Sequence, residues 1–291
     1  MILMFGVTGR IGRWLPAMLR DRGVLVRAVV RDPAAADELL GLGLAEAELF
    51  KGDATDATSW RRALTGIDGV YVGLSTGRTS DEVPLLEAIA AAGISRVVKI
   101  SGLGAAADCV IPMGLEHYKI ERRMDALGLS GTSLRPSLMM HNLLGEAQNA
   151  IRSGRLPSAA GDHRISWIHA RDVAAVAAVA LTEPGHGGKA YDLTGPEALT
   201  YDNLAQRLSD ALGHPVAHEP ISDEEYGREL LAGGFDPWAV EHLVTMYRDA
   251  VRTGYFDVVT DAVPTLTGAP ATTFDQWVHG NIDVLAPRVS T

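Results

Sequence analysis

The chain has 291 residues, 47% of them hydrophobic, enough for one large domain or a medium domain with a smaller companion. A formal charge of -10, with the basic residues scattered, argues against a nucleic-acid backbone or an anionic membrane as the main partner. No apolar run approaches the length of a membrane span, the first strand begins at Met1, and a lone Cys109 excludes an internal disulfide, so a cytoplasmic protein without a metal cluster is expected.

Ile2-Leu3-Met4-Phe5 is an apolar run of strand length that empties into Gly6-Val7-Thr8-Gly9-Arg10-Ile11-Gly12, with a glycine at every third position. Gly6 suits a tight turn off the strand, Gly9 admits backbone N–H groups close to a pyrophosphate, and Gly12 lets the next helix pack against the sheet. That helix carries Ile11, Leu15, Met18 and Leu19 on one face and stops at Gly23; its first turn offers unpaired N–H donors to an anion. Strand, glycine turn, helix and second strand in this order form the context of a dinucleotide site, with Thr8, Arg10 and Ile11 among the residues of its loop.

Residues 25–30 read as a buried parallel strand, continuous, β-branched and too short for a helix. It ends on Arg31, and Asp32-Pro33 then suits a helix start, Asp32 as cap and Pro33 at the first position. An acidic residue at this strand end takes the ribose 2′-hydroxyl of NAD, whereas an arginine accommodates the 2′-phosphate of NADP. With Arg31 in that place, NADP(H) is expected over NAD(H), and Arg10 supplies a second cation near the phosphates. Glu48 to Lys51 predicts a third strand that exits through Gly52-Asp53-Ala54. Asp53 there either accepts from the adenine amino group or holds its own loop as an Asx turn.

A helix over 59–64 precedes a fourth strand over 69–74, and its exit, from Leu74 through Ser75-Thr76-Gly77, lies toward the nicotinamide end. Residues 81–92 form an amphipathic helix with Val83, Leu86 and Ile89 on one face. Residues 96–100 form the fifth strand, which runs into Ser101-Gly102-Leu103-Gly104. The alternation predicts an α/β, Rossmann-type, doubly wound parallel sheet.

Gly6-x-x-Gly9-x-x-Gly12, Val26-Arg27-Ala28-Val29-Val30-Arg31-Asp32-Pro33, Gly52-Asp53, Ile100-Ser101-Gly102-Leu103-Gly104, His117-x-x-x-Glu121 and Thr132-Ser133-Leu134-Arg135-Pro136 follow one another along the chain. Arg171-Asp172-Val173-Ala174 and Tyr191-Asp192-Leu193-Thr194-Gly195-Pro196 come later. In this order the chain resembles, over essentially its whole length, the NmrA-like family. That family is an atypical branch of the short-chain dehydrogenase/reductase superfamily, with NAD(P)H:quinone and azo-dye reductase-like members.

The resemblance implies a catalytic constellation. Ordinary members carry a serine at the end of the fifth strand, here Ser101, and a tyrosine and lysine four residues apart, where this chain has His117 and Glu121. Tyr118 and Lys119 are adjacent, face different sides of a helix and cannot replace that pair. His117 can donate a proton near neutral pH, since its unperturbed pKa is ~6.5, and Glu121 one turn on can orient it. The alternative is that His117 and Glu121 form a structural pair, or that Glu121 ties down the C-terminal region. A further alternative needs no acid: a quinone reduced by hydride takes its proton from water, while Ser101 and nearby backbone donors hold the acceptor oxygen.

Pro136, by the same resemblance, brings main chain against the nicotinamide. Met139 and Met140 then offer either an adaptable apolar wall or core, and Asn142 a polar handle. Residues 166–172 are expected to return to the sheet, with Trp167 and His169 on one face as a pocket floor and Asp172 capping an Ala-rich helix over 173–181. From Gly195 onward, helices over 201–212, 223–231, 237–253 and 273–282, with a short strand over 215–218, predict a smaller, mostly helical C-terminal substrate domain. Tyr226 or Trp238 lines its cleft.

The expected division is 1–136 with 164–194 for the nucleotide-binding domain, and 137–163 with 195–291 for the substrate or lid domain. The expected activity is NADPH-dependent hydride transfer to a quinone-like, carbonyl or azo small molecule, by a monomer or homodimer. The alternatives are a non-catalytic NADP(H)-sensing regulator and a biosynthetic reductase or isomerase acting on an aromatic metabolite.

Overall fold

The computed structural model describes residues 1–32, 48–74, 76–146 and 148–286, so the helix expected from Pro33 and the contact expected of Ser75 lie outside the described residues. In chain order the strands are β1 (Ile2–Phe5), β2 (Val26–Val30), β3 (Glu48–Lys51), β4 (Gly69–Val72), β5 (Arg96–Ile100), β6 (Ser130–Pro136), β7 (Arg155–Ser158), β8 (Ala190–Leu193) and β9 (Ala217–Pro220). Seven of them make one parallel sheet in the order β3-β2-β1-β4-β5-β6-β8. The chain winds outward from β1 in one direction and from β4 in the other, and this reversal leaves a crevice at the carboxyl ends of the two strands.

β1 is apolar at every position because both of its faces are covered. Leu3 and Phe5 point into one core with Val70, Leu86, Val97 and Ile120, behind the helices Thr79–Ala91 and Pro112–Ala126. Met4 points into the other, with Ala28, Val98 and Leu15, under the helices Leu15–Arg20 and Ala170–Thr182. Trp60 seals the first core edge-on to Phe5, with ring centroids 5.0 Å apart.

The C-terminal region is helical and has a core of its own around Trp167, Tyr201, Leu204, Tyr247, Phe274 and Trp277. Local capping explains its helix starts. Thr200 and Asn203 form a capping box before Tyr201–Leu212, Thr273 and Gln276 another before Phe274–Gly280, and Asp236 caps Pro237–Thr245. The segment expected as one helix over 237–253 is α-helical only to Thr245, then widens into a π turn (Met246–Ala250) and tightens into a 3-10 turn (Val251–Thr253). The short strand falls at β9, where it pairs in parallel with β7. Among the described residues no helix is long and apolar enough to cross a membrane.

Two expectations fail next to the sheet. Residues 166–168 do not join it: Ile168 makes only an isolated bridge to Met139, and the last strand of the sheet is β8. Nor does Asp172 cap its helix. The cap is His169, whose Nδ1 accepts from Arg171 N at 2.8 Å, while the Asp172 carboxylate reaches the C-terminal region and accepts from Thr272 N at 2.7 Å and Thr272 Oγ1 at 2.9 Å. The aspartate is worth more as a tie across a hundred residues because it is buried and an unpartnered carboxylate there is costly.

Candidate active site

The glycine loop is shaped by backbone contact. Gly6 sits at φ +83°, and a Cβ on it would lie 2.1 Å from the Gly73 carbonyl oxygen; a Cβ on Gly12 would lie 2.1 Å from that of Gly6. These two glycines let β1, the exit of β4 and the following helix close on one another. Gly9 differs. It is exposed, donates to Gly6 O at 3.0 Å and accepts from Arg13 N, and it presents its backbone to the crevice. The helical segment begins as a 3-10 turn at Gly12–Trp14 before turning α at Leu15.

A cavity of about 600 Å³ starts at Gly9, Arg10, Ile11 and Gly12, passes Gly73, Leu74 and Gly77 after β4, then Ser101 and Pro136 after β5 and β6, and ends beneath the helical region. Leu103, Met113, Met139, Phe235, Leu243 and Phe256 make its far half apolar. Arg10 Nη1 donates to Asn142 Oδ1 at 2.5 Å, joining the glycine loop to the helical region, and Asn142 and Met139 both line the cavity.

His117 also lines the cavity, although it is only 6% exposed. Its Cδ2 edge would touch a Cβ on Gly102 and its Cε1 edge one on Gly77, so the ring lies between the loops that leave β4 and β5. Behind it, Lys99 Nζ donates to Ile100 O at 2.7 Å and lies 3.0 Å from His117 Nδ1 and 3.3 Å from Glu82 Oε2. Burial, with the Lys99 charge and His242 adding to it, holds the imidazole well below its ordinary range, so His117 is neutral at pH 7. Burial pushes the Glu82 carboxyl up, against the pull of Lys99.

Glu121 does not serve His117. Its carboxylate accepts from Ser101 Oγ at 2.7 Å and from Arg135 Nε at 3.0 Å and Nη2 at 2.5 Å. Ser101 lines the cavity but spends its proton on Glu121 and cannot also donate to an acceptor oxygen, which removes the oxygen-holding role expected of it.

Other expected substrate contacts are core. Met140 and Trp167 are 1% exposed and packed in the C-terminal core, Trp167 edge-on to Tyr201, and Tyr226 packs edge-on to Tyr247. Trp167 and His169 share no face: His169 turns to Trp14 and His141. Trp238 backs the cavity, stacked on His242 with the Arg78 guanidinium 4.5 Å above its ring, and it is His242 that lines the wall. Sequence reading missed Lys99 and His242. The available signals were a lysine inside an otherwise β-branched strand, and a histidine four residues after Trp238 on an amphipathic helix.

The buried histidines set an acid limit. Burial holds His141, His169 and His242 at about 4 each. Unfolded imidazoles bind protons near pH ~6.5, so between there and pH 4 the unfolded chain holds more protons and stability falls as pH falls. The urea midpoint should drop steadily across that window; a midpoint unchanged from pH 6.5 to 5 would contradict the neutral assignment.

The residues fit a dinucleotide. Gly9 is exposed at the crevice with no Cβ in the way, the buried Thr76 Oγ1 after β4 has no hydrogen-bond partner, and Arg31 stands exposed at the end of β2. Asp53 forms the Asx turn, accepting from Thr55 N at 2.9 Å and Thr55 Oγ1 at 2.8 Å, and the Arg31 charge helps those bonds hold its carboxyl below the ordinary range. Ala54 accepts from Trp60 Nε1 and packs at the edge of the core.

The sequence profile of the NmrA-like family matches residues 1–278. The chain belongs to the NmrA-like family. Among its NmrA-like relatives, the NAD(P)H azoreductase of Xenophilus azovorans is 34% identical over 97% of this chain and 98% of its own. Quinone oxidoreductase 2 of Escherichia coli is 30% identical over 96% and 97%. The crystal structure of an NADPH-dependent quinone oxidoreductase from E. coli complexed with NADPH superimposes with a TM-score of 0.84 at 28% identity, covering 96% of this chain and 99% of that one. An oxidoreductase with a Rossmann-type NAD(P)-binding fold, expected from the motifs, is what these comparisons support.

Proposed function

We propose that this protein is an NADPH-dependent reductase that delivers hydride to a quinone-like, carbonyl or azo small molecule. The supporting observation is the continuity of one cavity from the glycine loop, past the ends of β4, β5 and β6, to an apolar pocket under the helices. Residues 1–136 with 164–194 serve the nucleotide, and 137–163 with 195–291 cover the acceptor. The bound cofactor supplies hydride from its nicotinamide. The chain's own part is to position: Gly9 and Gly12 approach the diphosphate, Pro136 and Leu74 bracket the cavity between, and Met139, Phe235 and Phe256 hold a flat acceptor by apolar contact. His117 is a polar group in that wall, beside His242, and is the candidate proton donor. A cytoplasmic location goes with this reading, because that compartment supplies the reduced cofactor.

The test is consumption of NADPH by purified protein with a panel of quinones, azo dyes and aromatic ketones. Turnover of at least one class is expected; tight NADPH binding with no turnover of any would favour the regulator. For cofactor choice, Arg31→Ala should weaken NADPH by about 10- to 100-fold, the worth of a charge-assisted hydrogen bond, and NADH hardly at all. Equal losses for both cofactors would remove the phosphate argument.

A further inference from the structure

Lys99 is a lysine with no access to water, in the middle of a parallel strand, and its 0% exposure demands a reason. Its charge is met by Glu82, itself 1% exposed, whose Oε2 lies 3.3 Å away as an ion pair and whose two oxygens have no hydrogen-bond partner. Nζ donates to Ile100 O, pairs with Glu82 Oε2 and lies within hydrogen-bond distance of His117 Nδ1. An ammonium has no lone pair, so a 3.0 Å contact with Nδ1 is a hydrogen bond only if Nδ1 is the acceptor. His117 then carries its proton on Nε2, on the side of the ring that faces Gly77 and Gly102 at the cavity.

We propose that Lys99, held by Glu82, fixes His117 as the Nε2–H tautomer and passes a proton through it to the reduced acceptor. This rests on the reductase reading above. Hydride from the reduced nicotinamide leaves an acceptor carbonyl as an oxyanion. The Nε2–H bond of His117 breaks and an O–H bond forms, while one Nζ–H bond of Lys99 breaks and Nδ1 gains that proton. His117 stays neutral throughout, with its proton moved to Nδ1, and Lys99 is left as the free amine. When product departs, a proton from water enters at Nε2 and the Nδ1 proton returns to Lys99, so the net proton comes from solvent. Lys99 is a positioning residue; His117 is the group that meets the acceptor.

The charged groups near this relay are committed elsewhere. On the helix Thr79–Ala91, Asp81 accepts from Ser80. On the helix of His117, Glu116 holds Thr79 and Lys119, and Glu121 holds Arg135 and Ser101. From the C-terminal region His242 faces His117, and it is neutral at pH 7.

The first test reads the tautomer in the unaltered protein without added nucleotide, by nitrogen-15 NMR of the His117 ring. A pyridine-type Nδ1 and a pyrrole-type Nε2 are expected; the reverse assignment overturns the proposal, whether or not any variant folds. The second uses Lys99→Met/Glu82→Leu, which removes both charges together and leaves neither buried alone. This variant should bind NADPH as the parent does and keep its KM for a quinone, while His117 loses its fixed tautomer signature and kcat falls by about 100-fold, the scale of general acid catalysis. An unchanged kcat overturns the relay. Failure of the unaltered protein to oxidise NADPH with any acceptor instead sinks the reductase reading, and the NMR result stands apart from it.

Discussion

His117→Phe should lower kcat with a carbonyl or quinone acceptor by about 10²–10⁴-fold while leaving the affinity for NADPH within a few fold. Phenylalanine keeps a flat, slightly larger ring between Gly77 and Gly102 and removes the ring nitrogens. The change therefore separates a chemical role from a packing role. The loss belongs in kcat, because a neutral Nε2–H matters most to an oxygen that has gained negative charge, and the ground-state acceptor has gained none. The alternative in which water protonates a stable hydroquinone anion predicts nearly the same kcat for the variant. A series from benzoquinone to aromatic ketones sharpens the contrast, since a ketone gives the more basic oxyanion and should lose more. Stopped-flow decay of reduced-nicotinamide absorbance at saturating acceptor is the measurement.

Arg135→Met should cost the fold about 3–5 kcal/mol, the scale for leaving a buried carboxylate without its cation. Glu121 is 3% exposed, and its oxygens are met by Arg135 at two points and by Ser101 at one. Without the guanidinium, one hydroxyl proton faces a full negative charge in a dry site. Arg135→Met/Glu121→Leu should recover most of the loss, because apolar residues of similar volume often replace a buried pair at no net cost. Urea denaturation of the parent and both variants reads the three free energies. A single variant as stable as the parent would mean that water already reaches Glu121.

The two predictions turn on one geometric fact that helical spacing conceals. His117 and Glu121 are four residues apart on the helix Pro112–Ala126, and that one-turn spacing made them look like a pair. Their partners come instead from the sheet below. Lys99 and Ser101 alternate to the same face of β5 and its exit, and the register Ile100↔Leu134 sets Arg135 of β6 beside Ser101. Each helical residue therefore has its own counter-group, and the pair expected along the helix is replaced by two pairs across layers.

Trp167 and His169 carry the same lesson for strands. Alternation puts them on one face only if the backbone stays extended, and residues 166–168 make no more than an isolated bridge before the helix begins at Ala170. Trp167 then packs into the C-terminal core and His169 turns to cap the helix.

The order of the elements, the parallel sheet, the glycine turn and the helical C-terminal region were legible in the residues alone, because each rests on local periodicity, capping and backbone freedom within a few positions. What only the tertiary structure decided was the pairing of buried charges: Lys99 with Glu82 and His117, and Glu121 with Arg135 and Ser101. It also decided which residues of the C-terminal helices reach the cavity, His242 rather than Trp238. A buried polar group takes whichever partner the packed layers bring within hydrogen-bond distance, and that distance has no counterpart in separation along the chain.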